Sequence, residues 1–187
     1  MCRTIIITVC GLHVKKGGPL MEPEISCAFT GHRPARLPWG ANETHPRCLA
    51  LKEELARSVE EAYAAGCRHF LCGMAQGADL YFAETVLSLR DRRPDVTLEA
   101  AIPYLEQARN WPQADQDRRQ GILDRCNYET VVQHSYSPGC MARRNRYMVD
   151  RARCLIAVYD GQPQGGTFQT LAYAMQKGLA ITIVDTE

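Results

Sequence analysis

The stretch Val158-Tyr-Asp-Gly-Gln-Pro-Gln-Gly-Gly-Thr-Phe-Gln-Thr170 decides the fold, because it joins an apolar strand to a helix through a glycine-rich loop. The apolar run 154–158 predicts the buried strand, and a helix is predicted at 166–177. Backbone N–H groups at a helix N-terminus lack intrahelical partners, and the helix dipole adds about half a positive charge there. This arrangement predicts an anion site, the alternative being a plain turn in which the glycines only permit tight geometry. The residues assigned to this site are Asp160, Gly165, Gly166 and Thr167.

Two upstream loops repeat the pattern of a strand that opens into glycine. One follows the strand predicted at 68–72, and the other follows the strand predicted at 25–30. In open α/β sheets, ligands bind outside the carboxyl ends of the strands, so we expect the three loops to line one crevice. None of the loops is a G-x-G-x-x-G or a Walker A sequence. The ligand-binding residues predicted on these two loops are Thr30, Gly31, His32, Arg33, Gly73, Met74, Ala75, Gly77 and Asp79.

Strands and helices alternate along the chain, which is typical of an α/β protein. The other strands are predicted at 96–102, 128–133 and 180–184, and the other helices at 46–66, 79–91, 104–126 (interrupted near 111–112) and 140–152. This alternation predicts right-handed crossovers and a single domain, whose mostly parallel sheet is flanked by helices on both faces. We assign the domain to residues 21–187 and interpret residues 1–20 as an N-terminal extension. The alternative for the apolar run 4–10 is an added edge strand.

Composition and charge argue against several classes of function. The formal net charge of +1 gives no overall attraction to nucleic acid or membranes, and no run of about 18 apolar residues predicts a membrane span. The nine cysteines are odd in number and contain no C-x-x-C, and the histidines lack metal spacing. We therefore expect a cytoplasmic protein with no metal, no membrane partner and no nucleic-acid partner. The basic run 143–146 is either a solvated helix face or a source of ligand-facing arginines.

A set of motifs, spaced in order over about residues 25–185, resembles the YpsA family. The motifs are Thr30-Gly-His-Arg-Pro34, Gly73-Met-Ala-x-Gly-Ala-Asp79, Ala83-Glu84, Ala101-Ile-Pro103, Arg144-Asn-Arg-Tyr-Met-Val-Asp150, and Ala157-Val-Tyr-Asp-Gly161 with Gly165-Gly-Thr167. That family belongs to the SLOG superfamily, with the LOG phosphoribohydrolases and the DprA recombination mediators. The resemblance implies a Rossmann-like fold, a pocket for a nucleotide or nucleotide-derived ligand at the glycine loops, and Arg144 and Asn145 near that pocket. Because SLOG relatives are often oligomeric, it also implies a homodimer.

Two positions depart from the LOG pattern, which is P-G-G-x-G-T-x-x-E with an M-x-x-R-K-x-x-M helix upstream. Arg144 is present, but Asn145 stands at the lysine position and Thr170 at the glutamate position. N-glycosidic hydrolysis passes through an oxocarbenium-like state, which an acidic residue stabilises or supplies with an activated water. The missing carboxylate argues against LOG-type catalysis, and no catalytic residue is predicted. The acidic residues that could replace it, if geometry allows, are Asp79, Glu84 and Asp160.

These observations favour a protein that binds or senses a nucleotide or nucleotide-derived ligand, such as an ADP-ribose-like molecule or a nucleoside phosphate. In this hypothesis the glycine loop holds phosphate, Arg144 neutralises its charge, and Asp79 or Glu84 binds ribose. Asp79 could instead cap the helix that follows, and Glu84 could lie on the surface. The first alternative is a nucleotide-processing hydrolase related to the LOG enzymes, and the second is a DprA-like DNA-associated protein. No cofactor is predicted beyond the nucleotide-derived ligand itself.

Overall fold

Strands and helices alternate in the order that the sequence predicts. The computed structural model describes residues 7–9, 12–14 and 22–186. Its strands are β1 (Ile7–Val9), β2 (Leu12–Val14), β3 (Ser26–Thr30), β4 (His69–Cys72), β5 (Thr97–Ile102), β6 (Tyr128–Val131), β7 (Cys154–Tyr159) and β8 (Ala180–Asp185). Its helices are α1 (Pro46–Ala64), α2 (Ala78–Arg92), α3 (Gln113–Arg125), α4 (Cys140–Val149) and α5 (Gly165–Gln176).

The six strands β3 to β8 form a parallel sheet in the order β6-β5-β4-β3-β7-β8. The central strand β3 lies between β4 and β7, so the strand order reverses between β3 and β7. Cys27 of β3 is level with Phe70 of β4 and with Cys154 of β7, which brings the carboxyl ends of these strands to one edge. This is a Rossmann-like α/β arrangement, and the reversal point is where such sheets bind ligands.

The two faces of the sheet carry different helices because side chains alternate along each strand. Cys27 and Phe29 of β3 pack into the core beneath α1, α2 and α3, whereas Ala28 packs beneath α4 and α5. Helix α1 shows how the sequence specifies this packing, since Leu51 and Leu55 are four residues apart, and both are buried. Burying each such leucine stabilises the fold by about 1.5–3 kcal/mol. The predicted mostly parallel sheet with helices on both faces is confirmed.

A short antiparallel hairpin extends the sheet at the β6 edge. Strands β1 and β2 pair with each other, and β2 pairs with β6 through Val14 opposite Thr130. The run 4–10, for which an edge strand was the alternative interpretation, thus contains β1, although β2 makes the contact with β6. Residues 1–6, 10–11, 15–21 and 187 lie outside the described residues, so the interpretation of residues 1–20 as an extension stays a prediction.

The largest difference from the predicted elements lies between β5 and α3. The sequence predicts helix from residue 104, but residues 105–110 form turns and α3 begins only at Gln113. Backbone bonds to the third preceding residue, such as Gln107 N–H to the Tyr104 carbonyl, replace helical bonds here. The Gln107 side chain also donates to the Gly73 carbonyl at 3.2 Å, which ties this segment to the loop after β4. A tertiary contact thus outweighs the local helical preference.

Candidate functional site

A cleft of about 400 Å³ opens at the carboxyl ends of the strands, where the order reverses between β3 and β7. Its walls are the loop after β3, the first turn of α2, one side of α4 and the first turn of α5. The structure brings together here many of the residues that the sequence predicts to bind a ligand. They are Thr30, Gly31, His32, Arg33, Ala75, Asp79, Arg144, Asn145, Gly165, Gly166 and Thr167.

Arg144 of α4 is the buried cation of this cleft, with its side chain only 7% exposed. Its Nε donates to Asn145 Oδ1 at 2.8 Å. Its Nη1 is buried and has no hydrogen-bond partner among the residues that the structure describes, because Asp79 Oδ2 lies 3.8 Å away. Burial lowers the pKa of Arg144 and Asp79 opposes this, but the ordinary value is so high that the guanidinium keeps its charge at neutral pH. The chain therefore leaves one buried, charged donor unsatisfied at the cleft.

Gly73 accounts for the position of this guanidinium. A Cβ atom at residue 73 would lie 1.6 Å from Arg144 Nη1, so only glycine lets the guanidinium lie against the loop after β4. Met74 follows, fully buried and with a φ of 55°, and Gly77 has a φ of 82°. A side chain at Gly77 would also come within 2.9 Å of the His32 carbonyl oxygen. Gly73, Met74 and Gly77 therefore shape the loop behind the cleft rather than line it.

Asp79 is a buried carboxylate on the opposite wall from α4. It occupies the second position of α2, whose N-cap is Gly77, so the alternative that Asp79 caps this helix is wrong. Its Oδ2 accepts instead from the Ala75 N–H at 3.0 Å, which holds the loop against the helix start. Burial raises the pKa of Asp79, while Arg144 and the Ala75 N–H only partly oppose this effect.

His32 joins the loop after β3 to the loop after β7. Its Nε2 lies 3.0 Å from Asp160 Oδ1 and 3.1 Å from the Asp160 backbone nitrogen, and its Nδ1 lies 3.3 Å from Thr167 Oγ1. Burial lowers the pKa of His32, although Asp160 works to raise it, so the imidazole is neutral at pH 7. Asp160 also pairs with Arg36 and stands at the rim, behind His32. The buried His32 imidazole and Thr167 hydroxyl therefore form one wall, with the partly exposed Asp160 behind them.

The first turn of α5 presents backbone N–H groups beside these side chains. The N-cap residue is Gln164, whose side chain makes no capping hydrogen bond, and the first turn contains no acidic residue. Gly165 has a φ of 83°, a conformation that favours glycine. A Cβ atom at Gly166 would meet nothing within 4 Å, so the space in front of this residue is open. Such a helix start attracts anions.

The two positions that depart from the LOG pattern contact each other. Asn145 Nδ2 donates to Thr170 Oγ1 at 2.7 Å, and the Thr170 hydroxyl donates to the Gly166 carbonyl at 2.7 Å. These side chains also line a groove of about 340 Å³ between α4 and α5. The lysine and glutamate positions of the LOG pattern are therefore occupied by two neutral side chains that bond each other, and residue 170 supplies no carboxylate.

Glu84 lies away from the cleft, so the structure does not support its predicted contact with ribose. Arg118 of α3 donates to both Glu84 carboxylate oxygens at 2.6 Å, and Arg118 also pairs with Glu43. The reason is helical geometry, because the five residues from Asp79 to Glu84 rotate the side chain by about 140° around the axis. The surface alternative for Glu84 fits this placement.

Several cleft residues were not predicted from the sequence. Arg36 is the most consequential of them, since it pairs with Asp160 and its Nη1 donates to the Gln164 carbonyl at 3.0 Å. The sequence feature that could have identified Arg36 is its position three residues after Arg33, in the same loop. The others are apolar and small side chains without a chemical signature, namely Phe29, Ala35, Met141 and Met148.

Within residues 7–9, 12–14 and 22–186, no cluster of three or more histidine, cysteine, aspartate or glutamate side chains could hold a metal ion. Over the same described ranges, no helix combines the length and the apolar character needed to cross a membrane.

Several known proteins are similar to this chain in sequence or in fold. The sequence model of the YspA SLOG family matches residues 27–187. The chain is 27% identical over 153 residues to a UPF0398 protein of Bacillus cereus (strain G9842), and 26% identical over 153 residues to a UPF0398 protein of Bacillus thuringiensis (strain Al Hakam); each match covers 81% of this chain and 83% of the relative. A solved structure of DNA processing protein A from Helicobacter pylori, described for its single-stranded DNA binding mode, superposes with a TM-score of 0.61. It is 15% identical in sequence and covers 92% of this chain and 70% of that chain, which shows a shared fold.

Proposed function

Because this chain belongs to the YspA SLOG family, we propose that its cleft binds or senses a nucleotide or a nucleotide-derived ligand, of the nucleoside phosphate or ADP-ribose class. The observation that carries this proposal is the buried guanidinium of Arg144 at the wall of the cleft, whose Nη1 has no hydrogen-bond partner among the described residues and has Asp79 Oδ2 only at 3.8 Å. An unsatisfied buried donor costs about 1–3 kcal/mol, and more when it is charged. An anionic ligand oxygen removes this cost on binding.

The start of α5 supports phosphate as the anionic group. Gly165 and Gly166 allow an anion to approach backbone N–H groups whose dipole already favours negative charge. Arg33 lines the same cleft and adds positive charge at its rim, whereas the charge of Arg36 is paired with Asp160. A volume of about 400 Å³ is in the range of pockets that hold small ligands. These features together favour a phosphorylated ligand of nucleotide size.

Asp79 is the remaining candidate for the sugar, since Glu84 is paired with Arg118 outside the cleft. A carboxyl group at this position accepts from a ribose hydroxyl when ionised and can donate when protonated. The LOG-type hydrolase is less well supported, because Thr170 bonds Asn145 at the place where that chemistry uses a carboxylate.

The alternative of a DNA-associated protein is supported by the structural neighbour. The net charge of this chain argues against that alternative. Neutralising several backbone phosphates requires clustered lysines and arginines, whereas the formal net charge of this chain is +1. The expectation that nucleic acid is not a partner therefore stays a prediction. Fluorescence anisotropy of a labelled single-stranded oligonucleotide at physiological salt tests it, and salt-dependent binding there without binding of mononucleotides would favour DNA.

The first test of the proposal is calorimetric titration of the full chain with AMP, NAD and ADP-ribose. We expect at least one of the three to bind with a stoichiometry of one per chain. Gly166→Asp places a carboxylate in the open space in front of α5, and it should weaken binding at least about tenfold, which is about 1.4 kcal/mol. Gly166→Ala is the matched control, because a Cβ atom there meets nothing within 4 Å.

A second pair of variants addresses the arginine itself. Arg144→Met should weaken the same probe at least about tenfold, because the buried donor is lost. Arg143→Met, one residue earlier on α4, should leave affinity unchanged, since Arg143 is exposed and bonds Gln133 outside the cleft. No binding of any probe, or equal binding by Arg144→Met and Arg143→Met, contradicts the proposal.

A further inference from the structure

The groove between α4 and α5 adjoins the cleft, and the proposed function does not yet use it. Its volume is about 340 Å³, and its walls include Asn145 and Arg146 of α4 and Phe168, Thr170 and Tyr173 of α5. Asn145 also lines the cleft, so the two spaces meet at this side chain. A molecule bound in the cleft can therefore continue into the groove past the Asn145 amide.

The amide of Asn145 is held in one orientation at this junction. Its oxygen accepts from Arg144 Nε at 2.8 Å, and its nitrogen donates to Thr170 Oγ1 at 2.7 Å. An amide nitrogen carries two protons, and the second has no acceptor among the residues that the structure describes. The junction thus keeps one donor for a ligand that passes from the cleft into the groove.

Arg146 brings positive charge to the groove, and within the described part of the chain it makes no ion pair. Asp150, four residues later on the same side of the helix, is bonded instead by Lys177 Nζ at 2.9 Å and by the Tyr173 hydroxyl at 2.8 Å. The Arg146 guanidinium lies over the Tyr173 ring, 5.7 Å from its centre. Arg144 and Arg146 therefore bring one cation to the cleft and one to the groove.

Two aromatic rings give the groove flat apolar surface. Phe168 directly follows Thr167, which lines the cleft, and Tyr173 lies five residues later on α5. Bases stack on aromatic rings and on guanidinium planes, and they form hydrogen bonds through their edges. The rings, the guanidinium of Arg146 and the amide of Asn145 are together the side-chain types that bind a nucleobase.

We propose that the groove binds the base of a ligand whose phosphate lies in the cleft at the start of α5, and that the ligand is therefore of the ADP-ribose class. This inference rests on the proposed function, because it places phosphate in the same cleft. A pyrophosphate joins two ribose units, so one ribose lies toward Asp79 while the other carries the adenine past Asn145 into the groove. AMP has a single ribose and cannot reach Asp79 and the groove at once.

The volumes fit a ligand that uses both spaces. The cleft of about 400 Å³ and the groove of about 340 Å³ each lie near the lower end of the range of pockets that hold small ligands. Ribose 5-phosphate fills the cleft alone, whereas a ligand with two sugars, a pyrophosphate and a base occupies both.

Calorimetric titration of the full chain with ADP-ribose, AMP and ribose 5-phosphate tests this inference. We expect ADP-ribose to bind at least about tenfold more tightly than either of the smaller ligands. The smaller ligands are titrated in competition with ADP-ribose, so that weak binding is measured as well. Nuclear Overhauser contacts from the adenine protons to the ring protons of Phe168 and Tyr173 should place the base in the groove.

Variants in the groove separate the base from the phosphate. Phe168→Leu keeps apolar volume without an aromatic face, and it should weaken ADP-ribose binding at least about fivefold. Arg146→Lys keeps the charge without the planar guanidinium, and it should weaken ADP-ribose binding about two- to fivefold. Both should leave ribose 5-phosphate binding unchanged, whereas Gly166→Asp should weaken both ligands. Met175→Ala is the control, since Met175 is exposed on α5 and does not line the groove.

The outcomes separate this inference from the proposed function. If AMP or ribose 5-phosphate binds as tightly as ADP-ribose, or if Phe168→Leu and Arg146→Lys change no affinity, this inference is overturned while the proposed function stands. If these variants dissociate a dimer in sedimentation velocity and leave ADP-ribose binding unchanged, a second copy of the chain occupies the groove, which overturns the inference as well. If none of the three ligands binds, the proposed function and this inference both fail.

Discussion

Two buried carboxylates, Glu99 and Asp79, differ in the number of close partners that the fold gives them. Glu99 of β5 has a full set of partners, because His69 Nε2 lies 3.0 Å from one oxygen and the Tyr147 hydroxyl donates to the other at 2.7 Å. Asp79 has the Ala75 N–H at 3.0 Å and a guanidinium nitrogen only at 3.8 Å. The first set is complete and the second is not, although both side chains are almost fully buried.

The pKa values of the two carboxyl groups differ in the same sense. Burial works to raise the pKa of Glu99, but the bonds from His69 and Tyr147 outweigh it and hold that pKa below its ordinary value. Burial also raises the pKa of Asp79, and there the partners do not compensate. A fully bonded buried carboxylate stabilises the architecture, whereas a carboxyl group with a raised pKa beside a cleft is a candidate for a functional site.

Helix α4 connects these two regions. Tyr147 bonds Glu99 beneath the helix, while Arg144 and Asn145, three and two residues earlier, face the cleft. The hydrogen bonds around Glu99 therefore hold helix α4 in place, and this helix carries Arg144. A cation with an unpartnered donor can keep its position only if the helix beneath it is held by other contacts.

The largest expected effect lies in the complete network. Glu99→Ala leaves His69 and the Tyr147 hydroxyl buried without their main partner, and it should lower the free energy of unfolding by about 3–5 kcal/mol. Urea denaturation followed by circular dichroism measures this loss. Glu53→Ala on the exposed side of α1 is the control, and it should change stability by about 0.5 kcal/mol or less. If Glu99→Ala lowered the free energy of unfolding by less than about 1 kcal/mol, the contrast between the surroundings of Glu99 and those of Asp79 would not hold.

An intermediate effect is expected at the hydrogen-bonded pair of Asn145 and Thr170, which lines the groove between α4 and α5. Thr170→Glu alone places a carboxylate beside the Gly166 carbonyl and removes the donor that this carbonyl has in the wild type. Asn145→Lys alone removes the bond to Thr170 and adds an unpaired charge. Together the new side chains can pair in the groove between α4 and α5, so a double-mutant cycle should give a favourable coupling of about 1–3 kcal/mol. Additive losses would show that the two positions do not act as a pair.

The sequence predicted local features of the molecule well and long-range ones poorly. Alternating apolar runs located the strands because burial of successive side chains is a local pattern, as in the run 154–158, which became β7 (Cys154–Tyr159). The bond of Asn145 to Thr170 and the pairing of Arg36 with Asp160 join residues far apart in the chain, and no periodicity encodes them. Glu84 was predicted to bind ribose only if its side chain faced the cleft, and position along the sequence alone did not fix that direction around the helix axis.

The smallest effect expected is a difference in pH dependence between the two carboxylates, and its sign follows from proton linkage. Glu99 has a lowered pKa in the folded chain, so its contribution to stability is present above the unfolded pKa and is lost as the pH falls through the folded value. Asp79 has a raised pKa, so the folded chain holds this proton after the unfolded chain has released it. Its contribution to stability therefore declines as the pH rises from about 3.8 through the folded value.

Glu99→Gln and Asp79→Asn remove the two titrations with nearly isosteric amides, and the free energy of unfolding of each is measured against wild type from pH 3 to pH 7. The stability advantage of wild type over Glu99→Gln should grow as the pH rises, whereas its advantage over Asp79→Asn should shrink. Parallel trends for the two variants would mean that Asp79 is as well partnered as Glu99, and the inference that the cleft is the incomplete site would lose its electrostatic support.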